Sequence, residues 1–380
     1  MRIGLLGPAY PFRGGIAHYT TLLYRALAVR HEVRFVSFSR QYPRWLFPGR
    51  TDRDESSAPL RAEGAEPVLD PLNMRSWWRA GDRLAAFEPN LTILPWWTPF
   101  WTVPYAAVLA RLRRAGCGRA LFLCHNVSGH EGDLAHRWAG RLLLRQGQAF
   151  VVHSQQEAAT LAALVPGAAV RWTPHPSYAE LSAGSLSREE AQVRLGLRGP
   201  TLLFFGFVRP YKGLADLLAA LPVVLAQRRA TLLVVGEFWE PLEAYQQQAR
   251  LLGVEDAVRF VDRYVPNEEI PLYFAAADLV VLPYRSVTGS GVAQLALGCG
   301  RPVLATRTGC LEDVIREGQT GLLVPPANPA ALARGILQFL ALSPAERAAF
   351  SQHIAQDQER FSWQRLVGCI EELATEVGAA

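Results

Sequence analysis

Three segments of the sequence gather residues able to hold an anion. Phe204-Phe-Gly-Phe-Val-Arg-Pro-Tyr-Lys-Gly-Leu214 follows an apolar run and opens a helical one. Gly206 suits the turn at the strand end, and Arg209 and Lys212, three apart, can converge on a phosphate beyond it. Lys212 is the single lysine in a chain whose other bases are all arginine, which marks a position needing a compact ammonium rather than a planar fork. In the second segment, Thr288, Gly289, Ser290 and Gly291 place small side chains and backbone donors at a helix start, a phosphate cradle without a Walker lysine. In the third, Gly14 and Gly15 precede a helix from Ile16 and let backbone amides approach an anion. The order there is not Gly-x-Gly-x-x-Gly, so a dinucleotide fingerprint is not met. His125 ends a strand in Leu123-Cys-His-Asn126. Each feature also has a plain structural reading: glycine turns at 14–15 and 288–291, an exposed lysine, a buried hydrogen-bonded imidazole.

These residues need scaffolding, and the sequence supplies it by alternation. Strands are expected at Arg2–Leu6, Glu32–Phe38, Leu91–Leu94, Ala120–Cys124 and Phe150–Val152. They resume at Thr201–Phe205, Thr231–Val235, Val258–Val261, Leu279–Leu282, Pro302–Ala305 and Gly321–Val324. Helical patterns such as Ala17–Ala28, Trp138–Gln146, Leu214–Leu225 and Pro241–Leu252 lie between most of them, which indicates α/β architecture with parallel sheets. The series runs twice. Pro174 to Gly199, rich in Pro, Ser and Gly, reads as the connection, so domains are expected at 1–178 and 179–360. A final amphipathic helix, within 361–380, is expected to pack back on the first domain.

Composition narrows the class. Of 380 residues, 50% are hydrophobic and 19% charged, enough apolar material for large cores. The net charge of +5 is too small to imply a nucleic-acid partner. Five scattered cysteines (117, 124, 299, 310, 369) with no Cys-x-x-Cys fit a reducing cytoplasm, and the apolar run after Met1 is too short for a signal peptide. Leu91–Ala110 carries no charge, but Pro95, Pro99 and Pro104 oppose a spanning helix. The expected form is a strand, a Trp-rich loop with Trp96, Trp97 and Trp101, then a helix. No Asp-x-Asp or His/Asp cluster at ligand spacing is present, so metal dependence is not expected.

Phe204–Leu214, Arg259–Pro283 and Gly300–Val324 together resemble the retaining glycosyltransferases of family 4. That resemblance implies the GT-B arrangement, two facing Rossmann-like domains with a cleft between them, and a nucleotide-diphosphate sugar (UDP or GDP sugar) as donor, with no further cofactor. It implies diphosphate contacts from Gly14, Gly15, Arg209 and Lys212, and places His125 near the donor sugar. Arg263, Tyr264 and Val265 fall where the family holds the base. The family carries two glutamates with seven residues between them around its Gly-rich loop; here those places fall at Val287 and Leu295. The cradle through Val292 remains, and Glu312 can take part of the ribose role.

Cleaving a sugar–diphosphate bond builds negative charge on the leaving phosphate, which Arg209, Lys212 and the amides of 289–291 can stabilise. The resemblance implies retention by front-face attack, with His125 positioning the sugar rather than acting as base. Trp96, Trp97 and Trp101 suit a glycan or lipid-linked acceptor, and Arg111, Arg113 and Arg114 beside Leu109 and Leu112 suit a membrane surface. Packing of those tryptophans in a core is the other reading. The expectation is a cytoplasmic hexosyltransferase-like enzyme of polysaccharide biosynthesis, peripheral on the inner face of the cell membrane. A GT-B nucleotide-sugar epimerase or hydrolase, and a non-catalytic nucleotide-sugar-binding partner subunit, stand beside it.

Overall fold

The computed structural model describes residues 1–43, 45–47, 49–127, 134–182 and 186–379, without the side chains of 134–137 and 182. The chain divides into two compact units. One comprises Met1–Glu55, Pro59–Pro174 and Trp363–Ala380; the other comprises Ser56–Ala58 and His175–Ser362.

In chain order the first unit runs β1 (Arg2–Leu6), α1 (Gly15–Ala28), β2 (Glu32–Phe38), β3 (Ala65–Leu69), α2 (Met74–Ala85), β4 (Leu91–Trp96), α3 (Thr102–Arg114), β5 (Ala120–Cys124), α4 (Leu134–Leu144), β6 (Ala149–Val152), α5 (Gln155–Leu164) and β7 (Ala169–Trp172). The second unit has α6 (Arg188–Leu195), β8 (Thr201–Phe205), α7 (Leu214–Leu225), β9 (Thr231–Val235), α8 (Leu242–Leu251), β10 (Val258–Val261), α9 (Ile270–Ala276), β11 (Leu279–Leu282), α10 (Gly291–Gly298), β12 (Val303–Thr306), α11 (Cys310–Val314), β13 (Gly321–Val324), α12 (Pro329–Ala341) and α13 (Pro344–Asp357). Last comes α14 (Trp363–Glu376), which packs in the first unit against α1, β6 and β7.

Both sheets are parallel, ordered β3-β2-β1-β4-β5-β6-β7 and β10-β9-β8-β11-β12-β13. Central strands are buried on both faces, which is why they are near-continuous apolar runs: every residue of β4, β5, β8 and β11 is buried. In the first unit one face is filled by Tyr19, Leu23, Leu366 and Ile370 of α1 and α14, the other by Leu84, Trp101, Val108 and Leu161 of α2, α3 and α5 and the short turn before α3. The charge-free stretch from Leu91 resolves into β4, a turn at Pro99–Trp101, and α3.

The segment read as a connection is built into the second unit instead. Gln192 on α6 donates to the Gly199 and Ala276 carbonyls, and Arg188 pairs with Asp278 at 2.9 Å. The units part at Pro174/His175.

In each sheet the strand order reverses beside the first strand of its unit, and loops leaving the carboxyl ends of the two flanking strands diverge there. In the second unit those strands are β8 and β11. Their loops touch: the Arg285 amide donates to the Tyr211 carbonyl at 2.7 Å. Gly213 has φ +70°, and a Cβ there would collide with the Pro283 carbonyl. Gly213→Ala is therefore expected to destabilise the protein by ~1–3 kcal/mol, read as a lower urea midpoint with unchanged m.

Candidate functional site

The β8 and β11 loops converge around one ammonium. Lys212 closes a short 3₁₀ turn (Pro210–Lys212) held by its amide on the Arg209 carbonyl at 3.0 Å. Its side chain turns inward and is only 7% exposed. Nζ lies 5.6 Å from the centre of the Tyr284 ring. Gly206 sits between the ammonium and α10: a Cβ on it would meet Lys212 Nζ at 3.1 Å and Val292 Cγ2 at 3.2 Å. The sequence-predicted Gly206, Lys212 and Val292 thus come together at the first turn of α10.

Ser290 caps that helix, its Oγ accepting from the Ala293 amide at 3.2 Å. Thr288 is half-buried and Gly289 exposed ahead of it. Helix dipole and amides of Gly291 and Val292 add positive potential beside the lysine. Two like charges reinforce one another, since Arg209 also faces this loop.

No carboxylate is ion-paired with Lys212 among the described residues. Asp216, in the first turn of the following α7, is paired with Arg285 by two bonds of 2.8 Å each. Burial first, and the Arg209 charge second, push the Lys212 pKa down from 10.5 to about 7. A cation buried without a counter-ion is the condition an anionic ligand relieves.

Beyond it runs an aromatic strip along the ends of β8, β9 and β10. The Arg209 guanidinium lies over Trp239 at 4.9 Å and over Tyr211 at 5.3 Å. Phe207 packs on Trp239 at 4.8 Å and on Tyr264 at 6.1 Å, and Val265 beyond is buried. Arg263 is spent on Glu269 and on the Tyr273 hydroxyl. Glu312 is exposed on the five-residue α11.

Three residues here had no motif to announce them. Glu237 is buried (2% exposed) at the end of β9, and Trp239 backs Arg209; the signal was a turn glycine, Gly236, directly after an apolar strand. Gln294 on α10 is fully buried, and neither its amide oxygen nor its nitrogen has a hydrogen-bond partner. Val287 and Leu295, where the resemblance calls for acids, are buried side chains.

In the first unit Gly14 (φ +97°) and Gly15 open α1, whose N-terminus carries no side-chain cap. His125, at the end of β5, is anchored by its amide on the Trp96 carbonyl at 2.7 Å. The Tyr19 ring stands edge-on to it at 4.4 Å, with His153 at 5.4 Å. His153 Nδ1 lies 2.9 Å from the Thr173 carbonyl and so donates to it, leaving Nε2 to accept from the Tyr19 hydroxyl at 2.9 Å. Burial pushes the His153 pKa down to about 4, so this ring is neutral. Tyr19 is thereby fixed, and with it one wall of His125.

The tryptophans are corrected by burial. Trp96 (2% exposed) and Trp101 (0%) are core residues whose ring faces are covered, because β4 is central and the turn at Pro99–Trp101 folds under α3. Trp101 has no exposed ring face for an acceptor, and Trp96 meets only the edge of a cavity lined also by Pro99, Asn126 and Gly140. Trp97 is half-buried and donates from Nε1 to the Tyr42 hydroxyl at 2.7 Å. Leu109 and Leu112 are core too, and Arg111 is tied to Asp82 at 2.8 Å, so α3 presents no amphipathic membrane face. His130, Glu131 and Asp133 lie outside the described residues, as does the His136 side chain.

Known proteins agree with this architecture. Residues 199–341 match the family model described as glycosyl transferases group 1. A D-inositol 3-phosphate glycosyltransferase of Streptomyces avermitilis is 34% identical over 199 residues, 50% of this chain and 42% of the relative. One from Catenulispora acidiphila is 34% identical over 229 residues, 57% of this chain and 54% of the relative, so the matches span about half the length of these relatives. Sucrose-phosphate synthase from Thermosynechococcus elongatus superposes with TM-score 0.72 at 21% identity over all of both chains. Anabaena Alr3699/HepE in complex with UDP superposes with TM-score 0.74 at 18% identity, over 99% of this chain and 100% of the other. The fold is GT-B.

Between pH 7 and 10.5 the unfolded lysine holds a proton that buried Lys212 has shed, so the ligand-free protein gains stability as pH rises through that window. Lys212→Met should flatten this rise and stabilise the ligand-free protein at pH 7 by about 1 kcal/mol or more, measured by urea melts at pH 6.5, 8 and 9.5.

Proposed function

We propose that this GT-B chain, whose residues 199–341 form a glycosyl transferases group 1 domain, moves a sugar from a nucleotide-diphosphate sugar to a glycan or lipid-linked acceptor. One observation carries the reading: the Lys212 ammonium is buried beside Gly206 and the first turn of α10 with no carboxylate paired to it among the described residues. The family match over the same segment supports a diphosphate as the missing partner.

The charge follows the bond. As the glycosidic C–O bond to the phosphate lengthens, its electron pair passes to the leaving oxygen. Lys212, Arg209 and the α10 amides meet that growing charge, so they stabilise the transition state more than the bound donor. Tyr264 and the Phe207–Trp239 stack offer faces for a nucleobase, UDP or GDP. In the first unit, Gly14 and Gly15 open α1 without a side-chain cap, and the His125 ring is flanked by Tyr19. Retention follows if the acceptor attacks from the face the diphosphate leaves, with that phosphate accepting the acceptor's proton. No metal is required by this scheme, and the acceptor's carrier places the work at a membrane surface. Among the described residues no helix is long and apolar enough to cross a membrane.

One observation favours a second reading, a nucleotide-sugar binder without transfer: apolar Val287 and Leu295 stand where carboxylates are expected. Acceptor-dependent release of nucleotide from UDP- and GDP-sugars decides between them. Transfer predicts release that rises with acceptor; binding alone predicts calorimetric heat with no release.

For Lys212→Ala the expected loss is ~10²-fold or more in kcat with an unchanged circular dichroism spectrum. Because binding a diphosphate restores the ammonium, wild-type UDP binding at pH 8 should take up a proton, and at pH 5.5 should not; calorimetry in buffers of differing ionisation heat reads this directly.

A further inference from the structure

The helices α2, α3 and α4 cover one face of the first sheet, and this layer carries an unusual outer surface. On α2 and the turn before it, Leu72, Met74 and Trp78 are each more than half exposed, Trp78 at 51%. Val103 on α3, Trp138 (62%) and Leu142 on α4, and Trp45 in the loop after β2 are exposed as well. All three tryptophans among the exposed large hydrophobic residues described belong to this unit, and two of them, Trp78 and Trp138, to α2 and α4. Met74 and Trp78, like Trp138 and Leu142, are four apart on their helices, so each pair forms one ridge.

Charge accompanies the ridges. Helix α2 has three arginines, α3 three and α4 two, against a single acid, Asp82, which is bound to Arg111. Arg75 and Arg79 flank the Met74–Trp78 ridge, exposed and without an ion-pair partner among the described residues; Arg141 and Arg145 flank the other, also exposed. The apolar residues do not explain themselves as packing, because the inner face of α2 already buries Ser76, Ala80 and Leu84.

We propose that the outer face of α2 and α4 docks on an anionic phospholipid bilayer, with Met74, Trp78, Trp138 and Leu142 entering the headgroup–acyl boundary and Arg75, Arg79, Arg141 and Arg145 meeting lipid phosphates. Exposed tryptophan beside arginine on a polar-rich helix is the composition such interfaces select. A second copy of the chain is a poorer occupant: a two-fold contact through this face sets arginine against arginine. The proposal deepens the reading of a membrane-borne acceptor and moves the contact from α3 to α2 and α4.

Flotation of the full chain with vesicles tests it without donor or acceptor. Binding is expected to vesicles of phosphatidylcholine with 30% phosphatidylglycerol, roughly tenfold weaker or less to phosphatidylcholine alone. Met74→Glu with Trp78→Glu, both on exposed sites, should abolish flotation with the melting temperature kept, and Arg75→Glu with Arg79→Glu should weaken it ~10-fold. No flotation with anionic vesicles, or flotation indifferent to both pairs, overturns the proposal. So does a dimer in sedimentation equilibrium that Met74→Glu with Trp78→Glu dissociates. Nucleotide release with a water-soluble acceptor, assayed alongside, should survive both pairs; its failure in the wild type would count against transfer and leave the docking result standing.

Discussion

A lysine ammonium removed from water, with no carboxylate paired to it among the described residues, is the constraint around which the second unit is arranged. Isolated charges are expelled from protein interiors unless something holds them, and here the holding is geometric. The 3₁₀ turn at Pro210–Lys212 fixes the backbone, and Gly213 lets it pass against the Pro283 carbonyl. Gly206 lacks the Cβ that would crowd Nζ. Each of these gives the ammonium room and backbone support without giving it a counter-charge.

The first unit applies the opposite logic at its own strand ends. There the buried titratable group, His153, is kept neutral, its two nitrogens assigned by the Thr173 carbonyl and the Tyr19 hydroxyl. Tyr19 is further gripped by Trp363 of α14 at 5.0 Å. The last helix of the chain therefore braces the residue that walls His125, which gives α14 a reason to return to a unit it left almost two hundred residues earlier. One unit keeps a cation under strain while the other keeps an imidazole still.

Much of this was legible in the residues. Central strands announced themselves because burial on both faces demands unbroken apolar runs, and β1, β2, β5, β8 and β11 fall where expected. The edge strands β3 and β7 did not: Ala-Glu-Pro-Val-Leu and Ala-Val-Arg-Trp are only partly buried, having a neighbour on one side, and neither shows a run or an alternation. Lys212 was visible as the chain's lone lysine, but its burial without a paired carboxylate among the described residues was not, since that depends on how the β8 and β11 loops, distant in sequence, pack together. The tryptophans of 96–101 misled for a related reason. Composition shows that a stretch is aromatic and cannot show which side of the sheet covers it; Trp45, Trp78 and Trp138, with no motif around them, are left in solvent.

The apolar pair Val287 and Leu295 is best understood with its surroundings. Gly309 has φ +49°, and a Cβ on it would collide with the Val287 carbonyl, so the β11 and β12 loops are packed hard against each other at this point. A carboxylate at Val287 would be desolvated there, and one at Leu295 would sit in the buried face of α10. The polar capacity has instead moved one residue along, to Gln294, whose amide is buried with both ends unsatisfied. A buried neutral amide costs less to desolvate than a carboxylate at the same depth. From Pro283 to Gly298 the chain carries no acid, so no side chain of α10 or of the loop before it offsets the positive potential at the helix start beside Lys212.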